Sequence, residues 1–318
     1  MKYALAIHGG AGTIVRSAMT PEKEISYRKA LNDALLVGES ILAQDGSALD
    51  AVEATVRFLE DNELFNAGKG AVFTNEGKIE MDASIMCGKT LLAGSVAGVR
   101  NIKNPVTLAR TIMERSDYVM LSGKGGEEFA KLMSIETRPD EYFFSQYRYD
   151  QLLQIRESDS KVLDHHDHSF VKEKKYGTVG AVAKDRRGNL AAATSTGGMT
   201  NKRYGRIGDS PVIGAGTYAN NQSCAVSCTG YGEFFLRTVV SYDISCLLEY
   251  KGLSLKEACA MVVQEKLMKL GGEGGLVAID HNGHIELSFN SEGMYRGKLQ
   301  EGGVPYVAIY KDDHEPIT

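Results

Sequence analysis

The chain reads as an α+β protein in which two packed β-sheets lie between outer helices. Three observations predict it. Helix and strand signals come in blocks, in the order helices, strands, a polar linker, strands, helices, strands. The apolar runs at 178–184 and 189–196 read as a hairpin whose faces are both buried. With 318 residues and 43% hydrophobic content, the chain can bury a full core in one large domain or two small ones.

Residues 2–7 predict a buried strand, and His8-Gly9-Gly10-Ala11-Gly12 a tight loop at its end. No Gly-x-x-x-x-Gly-Lys-Ser/Thr follows, so the loop is not a phosphate cradle, and His8 reads as a structural hydrogen-bonding residue rather than a base. Thr20-Pro21 supplies an N-cap and first-turn proline for a helix to about 44, and Ser47 caps a second to about 62. A loop at 64–70 precedes a hairpin turning at Asn75-Glu76-Gly77, with arms 71–74 and 79–82. A strand at 92–99 and helices from Asn104-Pro105, at 125–132 and at 141–155 follow. Residues 156–177 are charge-rich and read as a flexible linker. Its Asp164-His165-His166-Asp167-His168 can take Zn²⁺ or Ni²⁺ opportunistically, but a flexible strand has no second layer of groups to orient the ligands.

Beyond the hairpin at 178–196, strands are expected near 212–218 and 223–229, helices at 232–250 and 254–270, and strands at 275–280, 284–290 and 304–310. Gly214-Ala215-Gly216-Thr217-Tyr218-Ala219 fits a loose dinucleotide fingerprint, but Asn220-Asn221-Gln222 follows where that motif needs a helix. No internal repeat occurs. Net charge is −5, from 36 basic and 41 acidic residues without a basic cluster, which argues against nucleic acid as a partner. The N-terminal apolar run is too short for a signal peptide, and no stretch reaches the roughly 18 apolar residues of a membrane span. Five scattered cysteines read as reduced thiols of a cytoplasmic protein.

The chemistry gathers around Gly177-Thr178-Val179-Gly180. A threonine hydroxyl is a weak nucleophile until a base takes its proton, and an α-amine of pKa about 7.7 to 8 can be that base once the Gly177–Thr178 bond is cut. Gly177 allows the strained approach that such a cut needs. Arg206 and Asp209, three residues apart in Gly205-Arg206-Ile207-Gly208-Asp209, can clamp the carboxylate and ammonium of an amino acid. Backbone amides and the Thr229 hydroxyl in Ser227-Cys228-Thr229-Gly230-Tyr231-Gly232 can line an oxyanion hole at a strand-to-helix turn.

In order and spacing, these motifs, with Leu64-Phe65-Asn66-Ala67-Gly68 and Gly271-Gly272-Glu273-Gly274-Gly275, resemble the plant-type asparaginase and isoaspartyl peptidase family of N-terminal nucleophile hydrolases. The resemblance spans nearly the whole chain and implies a four-layer αββα sandwich. It implies one domain over 1–318, cut by itself into 1–177 and 178–318, with Thr178 as nucleophile, Thr196 as its hydroxyl neighbour and Asn66 close by. Arg206 and Asp209 would hold the substrate's α-groups, Thr229 and Gly230 the oxyanion side, and Gly232 the substrate through its backbone. No organic cofactor is expected. A structural sodium ion on the carbonyls of Leu59, Glu60, Asn62, Phe65, Ala67 and Lys69, and a dimer of α/β heterodimers, are further implications. The expected substrates are L-asparagine and β-aspartyl dipeptides. Three rivals are weighed against this. Glycosylasparaginases are exported and disulfide-bonded; a dinucleotide-binding module rests on stray glycines; an uncleaved, non-catalytic relative would not need these catalytic residue types.

Overall fold

A computed structural model describes residues 1–164 and 177–313. Two sheets face each other. The larger has eight strands, ordered β12-β11-β1-β5-β6-β2-β3-β4. These are β1 (Ala4–Gly12), β2 (Met81–Cys87), β3 (Ala93–Val99), β4 (Met120–Ser122), β5 (Val179–Lys184), β6 (Leu190–Thr196), β11 (Gly293–Gln300) and β12 (Tyr306–Tyr310). The smaller runs β10-β9-β8-β7, built from β7 (Thr217–Ala219), β8 (Cys224–Gly230), β9 (Gly274–Asp280) and β10 (Ile285–Phe289).

Outside the large sheet lie α1 (Pro21–Ala43), α2 (Ala48–Glu60) and α3 (Pro105–Arg115), whose Leu31, Val52, Val56 and Ile112 pack on Leu5, Ile7, Ala181 and Ala193. Thr20 and Ser47 cap α1 and α2, each side-chain oxygen accepting a backbone N–H of the first turn. Outside the small sheet lie α7 (Gly232–Thr238), α8 (Val240–Lys251), α9 (Leu255–Ala260) and a π-helical turn, Met261–Leu267. Their Phe235, Ile244, Val263 and Leu267 cover Val226 and Leu276. A third cluster, including Val182, Ala192, Val277 and Ile279, fills the space between the sheets. The architecture is the expected αββα sandwich.

Several local expectations need correction. The hairpin at 71–82 shrinks to one bridge, Phe73 to Ile79, and the true strand begins at Met81. Near 212–218 only Thr217–Ala219 forms a strand, beside an isolated bridge from Ile213 to Thr217, since Gly214 and Gly216 spend their amides on turn bonds to Thr217, Asp209 and Val212 carbonyls. The helix expected at 232–250 breaks at Val239, which has φ 50°; beyond the break, the amides of Ser241 and Tyr242 donate to the Ala215 and Gly214 carbonyls. Strand β11 was unforeseen: its glycines and charged residues hide the pattern, and buried Arg296 is satisfied by the carbonyls of Met294 and Tyr310.

The linker is also shorter than expected. After α4 (Gly123–Leu132) and the short α5 (Asp140–Phe143), α6 runs from Gln146 to Asp164, so 156–164 is helix. Charge does not prevent helix propagation, which costs little once a helix is nucleated, and Arg156 anchors this one by donating to the Asn75 carbonyl. The histidine cluster at 165–168 lies outside the described residues, apart from Asp164 at the helix end.

Strands from before and after Gly177 alternate in the large sheet: β1 pairs with both β5 and β11, and β6 with β2. Segments 1–177 and 178–318 thus share one set of backbone ladders.

Candidate active site

The site forms where β5 begins. Val179 pairs with Ser195 and Asp82 with Thr196, which lines Thr178, Thr196 and Asp82 across three neighbouring strands. The Thr178 hydroxyl donates to Thr196 Oγ1 at 3.2 Å, and the Thr196 hydroxyl donates to the carbonyl oxygen of Gly177, also at 3.2 Å. The Gly198 amide donates to the same Thr196 oxygen at 2.9 Å. One hydroxyl thus touches both the Thr178 hydroxyl and the carbonyl preceding it.

Asn66 braces this point from the 64–70 loop. Its side chain accepts from the Val72 amide and donates to the Gly198 carbonyl, while its backbone oxygen accepts from Gly197. A Cβ at Gly177 would stand 2.8 Å from Asn66 Cβ, and one at Gly197 would stand 2.4 Å from Asn66 Oδ1, so both glycines are required by close approach.

His8 holds the other side. Its Nδ1 lies 3.0 Å from the Thr178 carbonyl, which can only accept, so Nδ1 carries the proton. Nε2, 2.9 Å from Ser227 Oγ, then accepts from that hydroxyl. Burial pushes the imidazole pKa down to about 3, so the ring is neutral, and its contact is with the carbonyl rather than the hydroxyl of Thr178. This is a structural histidine. A Cβ at Gly180 would collide with both His8 Nε2 and Ser227 Oγ, which shows how closely the two sheets meet here.

That contact sets the position of Thr229. Thr178 precedes Gly180 on one strand by two residues, and Thr229 follows Ser227 on the facing strand by two, so both are placed in the space between the sheets. Thr229 is fully buried and its Oγ1 accepts from the Ala11 amide at 3.2 Å. Gly230, with φ 149°, ends the strand.

The loop residues behave differently. Arg206 does not pair with Asp209; its Nε and Nη2 make a bidentate pair with Glu233 at 2.9 and 2.8 Å. Asp209 is buried, its Oδ2 has no partner, and burial pushes its carboxyl up to about 7. Gly232 brings the two together: a Cβ there would stand 2.7 Å from Asp209 Oδ1 and 2.9 Å from Arg206 Nη2. Arg206, Asp209 and Gly232 therefore share one wall.

Comparison with known proteins fits this geometry. A family model described as asparaginase matches residues 1–309. The chain belongs to the asparaginase family. Among its asparaginase relatives, an isoaspartyl peptidase of Salmonella typhimurium is 53% identical over 311 residues, covering 98% of this chain and 99% of the relative. One from Escherichia coli is 52% identical, covering 100% and 99%. An isoaspartyl peptidase/L-asparaginase of Xenopus laevis is 39% identical, covering 99% and 97%. The αββα sandwich is thus the N-terminal nucleophile hydrolase fold that the motifs resemble.

Two residues that the structure brings to this candidate site escaped sequence reasoning. Glu233 lies 27 residues beyond Arg206, and only its place in the first turn of α7, next to Gly232, hinted at a role. Lys202 is buried, donates to the Glu80 carbonyl at 2.8 Å and neighbours Gly198. Burial pulls its pKa down, with Asp82 opposing that shift. Its sequence setting, Met199-Thr200-Asn201-Lys202-Arg203, reads as a solvated turn.

Proposed function

We propose that this asparaginase-family chain cuts itself at Gly177–Thr178 and then hydrolyses β-aspartyl dipeptides and the side-chain amide of L-asparagine. The observation that carries the reading is the Thr178–Thr196–Gly177 relay. Thr196 can take the proton of Thr178 Oγ1 while passing its own to the Gly177 carbonyl oxygen, as Thr178 attacks the carbonyl carbon. Collapse then moves the proton from the former carbonyl oxygen to the Thr178 nitrogen and breaks the C–N bond, leaving an ester with its carbonyl restored. Water hydrolyses that ester to a Gly177 carboxylate, releasing the Thr178 hydroxyl beside its now free amine. That amine takes the hydroxyl proton in each later turnover.

In turnover, Thr178 attacks the β-carbonyl of the substrate and forms a β-aspartyl ester. The leaving nitrogen departs as ammonia or as the amino group of the second residue, and water then frees aspartate. Arg206 receives the α-carboxylate, Asp209 the ammonium, Gly232 the substrate through its backbone, and Thr229 with Gly230 the developing oxyanion. The relatives named isoaspartyl peptidase and isoaspartyl peptidase/L-asparaginase support both substrate types.

The 59–69 segment fits the sodium ion implied by the resemblance. A Cβ at Gly68, φ +52°, would stand 2.3 Å from the Glu60 carbonyl oxygen, so only glycine lets the loop close on itself there. Carbonyls of Leu59, Phe65 and Ala67 accept one amide each or more, and the second lone pair of a carbonyl remains a ligand. With Glu60, Asn62 and Lys69 they would hold the ion, whose contribution is to brace the loop carrying Asn66.

Cys87, Cys224, Cys228, Cys246 and Cys259 are unpaired, which suits a reducing, cytoplasmic setting. No helix among the described residues is long and apolar enough to cross a membrane. The assembly proposed is a dimer of cut chains, for which light scattering should give about twice the 34.5 kDa of one chain.

Denaturing intact-mass measurement after incubation tests the central claim. Two fragments, the second starting at Thr178, with turnover of asparagine and a β-aspartyl dipeptide, are expected. A persistent full-length mass with no turnover would refute it.

A further inference from the structure

A cavity of about 390 Å³ opens on the Gly177 side of the Gly177–Thr178 junction, with Gly9, Asn66 and Gly177 on its wall. Ile14, Val72 and Tyr295 give it apolar surface. Arg148, from the first turn of α6, also lines it and is buried. Its guanidinium donates to the carbonyls of Gly70 and Leu64 at 3.1 and 3.3 Å and to Gln151 Oε1 at 3.2 Å. These bonds use three of five N–H groups and supply no negative charge.

Among the described residues no carboxylate forms an ion pair with Arg148. The acid on the same wall, Glu63, faces Lys69 at 3.9 Å instead. A second cation, Lys23, stands at the rim with its ammonium 5.0 Å from the Tyr147 ring. Burying a charge without a counter-charge is costly, and the cost is recovered when an anion enters. The cavity therefore offers an apolar chamber with one cationic wall, bordered by Gly177. That matches a single amino-acid residue with a free α-carboxylate.

We propose that this cavity is the subsite for the leaving half of a β-aspartyl dipeptide, with Arg148 receiving the α-carboxylate of the second residue and Lys23 assisting at the rim. The inference rests on the isoaspartyl peptidase reading above and adds where the second residue is recognised. It gives the two substrate types different dependence on one side chain, because ammonia leaving from asparagine carries no carboxylate. Cutting the chain also creates a carboxylate at Gly177 on the same wall, and if that group occupies Arg148 no substrate carboxylate can.

The test uses fully cut protein and three compounds: β-aspartyl-leucine, its C-terminal amide and L-asparagine. Wild-type protein should prefer the free acid over the amide by about tenfold or more in kcat/KM, mainly through KM, as for a charge-assisted hydrogen bond. Arg148→Gln keeps an N–H donor for the backbone carbonyls and should bring the two dipeptides to within about twofold. Lys23→Gln, at an exposed position that does not threaten folding, should reduce the preference by roughly two- to threefold. Equal use of acid and amide by the wild type would overturn the subsite and indicate that the Gly177 carboxylate fills it. So would Arg148→Gln lowering turnover of acid and amide in equal proportion, the mark of a role confined to the loop. Cut protein that turns over none of the three would refute the reaction itself, and the subsite with it.

Discussion

The nucleophile side and the clamp side of the site are built on opposite principles. Around Thr178, strand ends supply the groups, and those that touch the Gly177–Thr178 bond have partners, Thr178 on Thr196, Thr196 on Gly177 and His8 on the Thr178 carbonyl, while Asp82 one strand further keeps a buried oxygen without one among the described residues. Around Arg206 and Asp209, a loop supplies them, and a buried carboxylate oxygen stands without a partner. A satisfied polar network is rigid, whereas a buried acid with an open oxygen has room to accept a further hydrogen bond from water, an ion or a ligand. On the proposed reading, the reacting atoms are positioned before substrate arrives, and the groups that would recognise its charge are completed by it.

The largest break falls on the rigid side. Thr178→Ala should leave one uncut chain of 34.5 kDa and no measurable turnover; fragments ending at 177 from that variant would exclude Thr178 as the agent of cleavage. Thr196→Val keeps the shape but removes the relay, and should slow self-cleavage by about 10²- to 10⁴-fold, the range for a positioned proton carrier. A time course of fragment formation measures it. Wild-type cleavage kinetics in Thr196→Val would leave the 3.2 Å contacts as packing alone.

The clamp side should lose affinity before rate. Arg206→Ala removes a charged contact of roughly 1.5 to 3 kcal/mol, and KM for asparagine should rise about 10- to 150-fold with a smaller change in kcat. An unchanged KM would show that the α-carboxylate binds elsewhere.

How far this contrast was legible follows from distance along the chain. Gly177-Thr178 and Arg206-x-x-Asp209 are local strings whose chemistry is written in their residue types. Helix starts at Thr20 and Ser47 were legible for the same reason, because a cap is a local signal. What stayed hidden depends on long-range contact. Arg206 turns to Glu233 rather than to its near neighbour Asp209, and Lys202 is buried beside Asp82 of a distant strand. Likewise β11 carries Arg296 in the interior, where only the carbonyls of Met294 and Tyr310 make it tolerable. No periodicity announces that.

Asp209 sharpens the comparison through pH. Its carboxyl is held up to about 7, against an ordinary value of 3.8, so between those values the folded chain binds a proton that the unfolded chain has released. Stability therefore falls as pH rises through that window and stays low above it, by at most roughly 4 kcal/mol. Asp209→Asn should raise Tm at pH 8, change it little at pH 4 and abolish binding of the substrate ammonium. In the wild type, KM should climb as pH drops below about 7, since only the carboxylate pairs with an ammonium. A flat KM from pH 5 to 8 would mean that Asp209 is not the ammonium's partner.

The smallest effect decides what Glu233 does. It holds the Nε–Nη2 edge of Arg206, at 2.9 and 2.8 Å. A guanidinium has a second bidentate edge, Nη1–Nη2, and here those nitrogens lie near Gly208 and Gly232, with Asp209 Oδ1 close to the same Gly232 position. The free edge therefore faces the wall where an amino acid's two charged groups would sit, and Glu233 serves to aim it. Its side chain is 41% exposed, so the pair is partly screened and worth about 0.5 to 1 kcal/mol. Glu233→Gln should raise KM by roughly two- to fivefold, with the fold and self-cleavage intact. A fall in KM would reverse the assignment, making Glu233 a competitor that the substrate carboxylate has to displace.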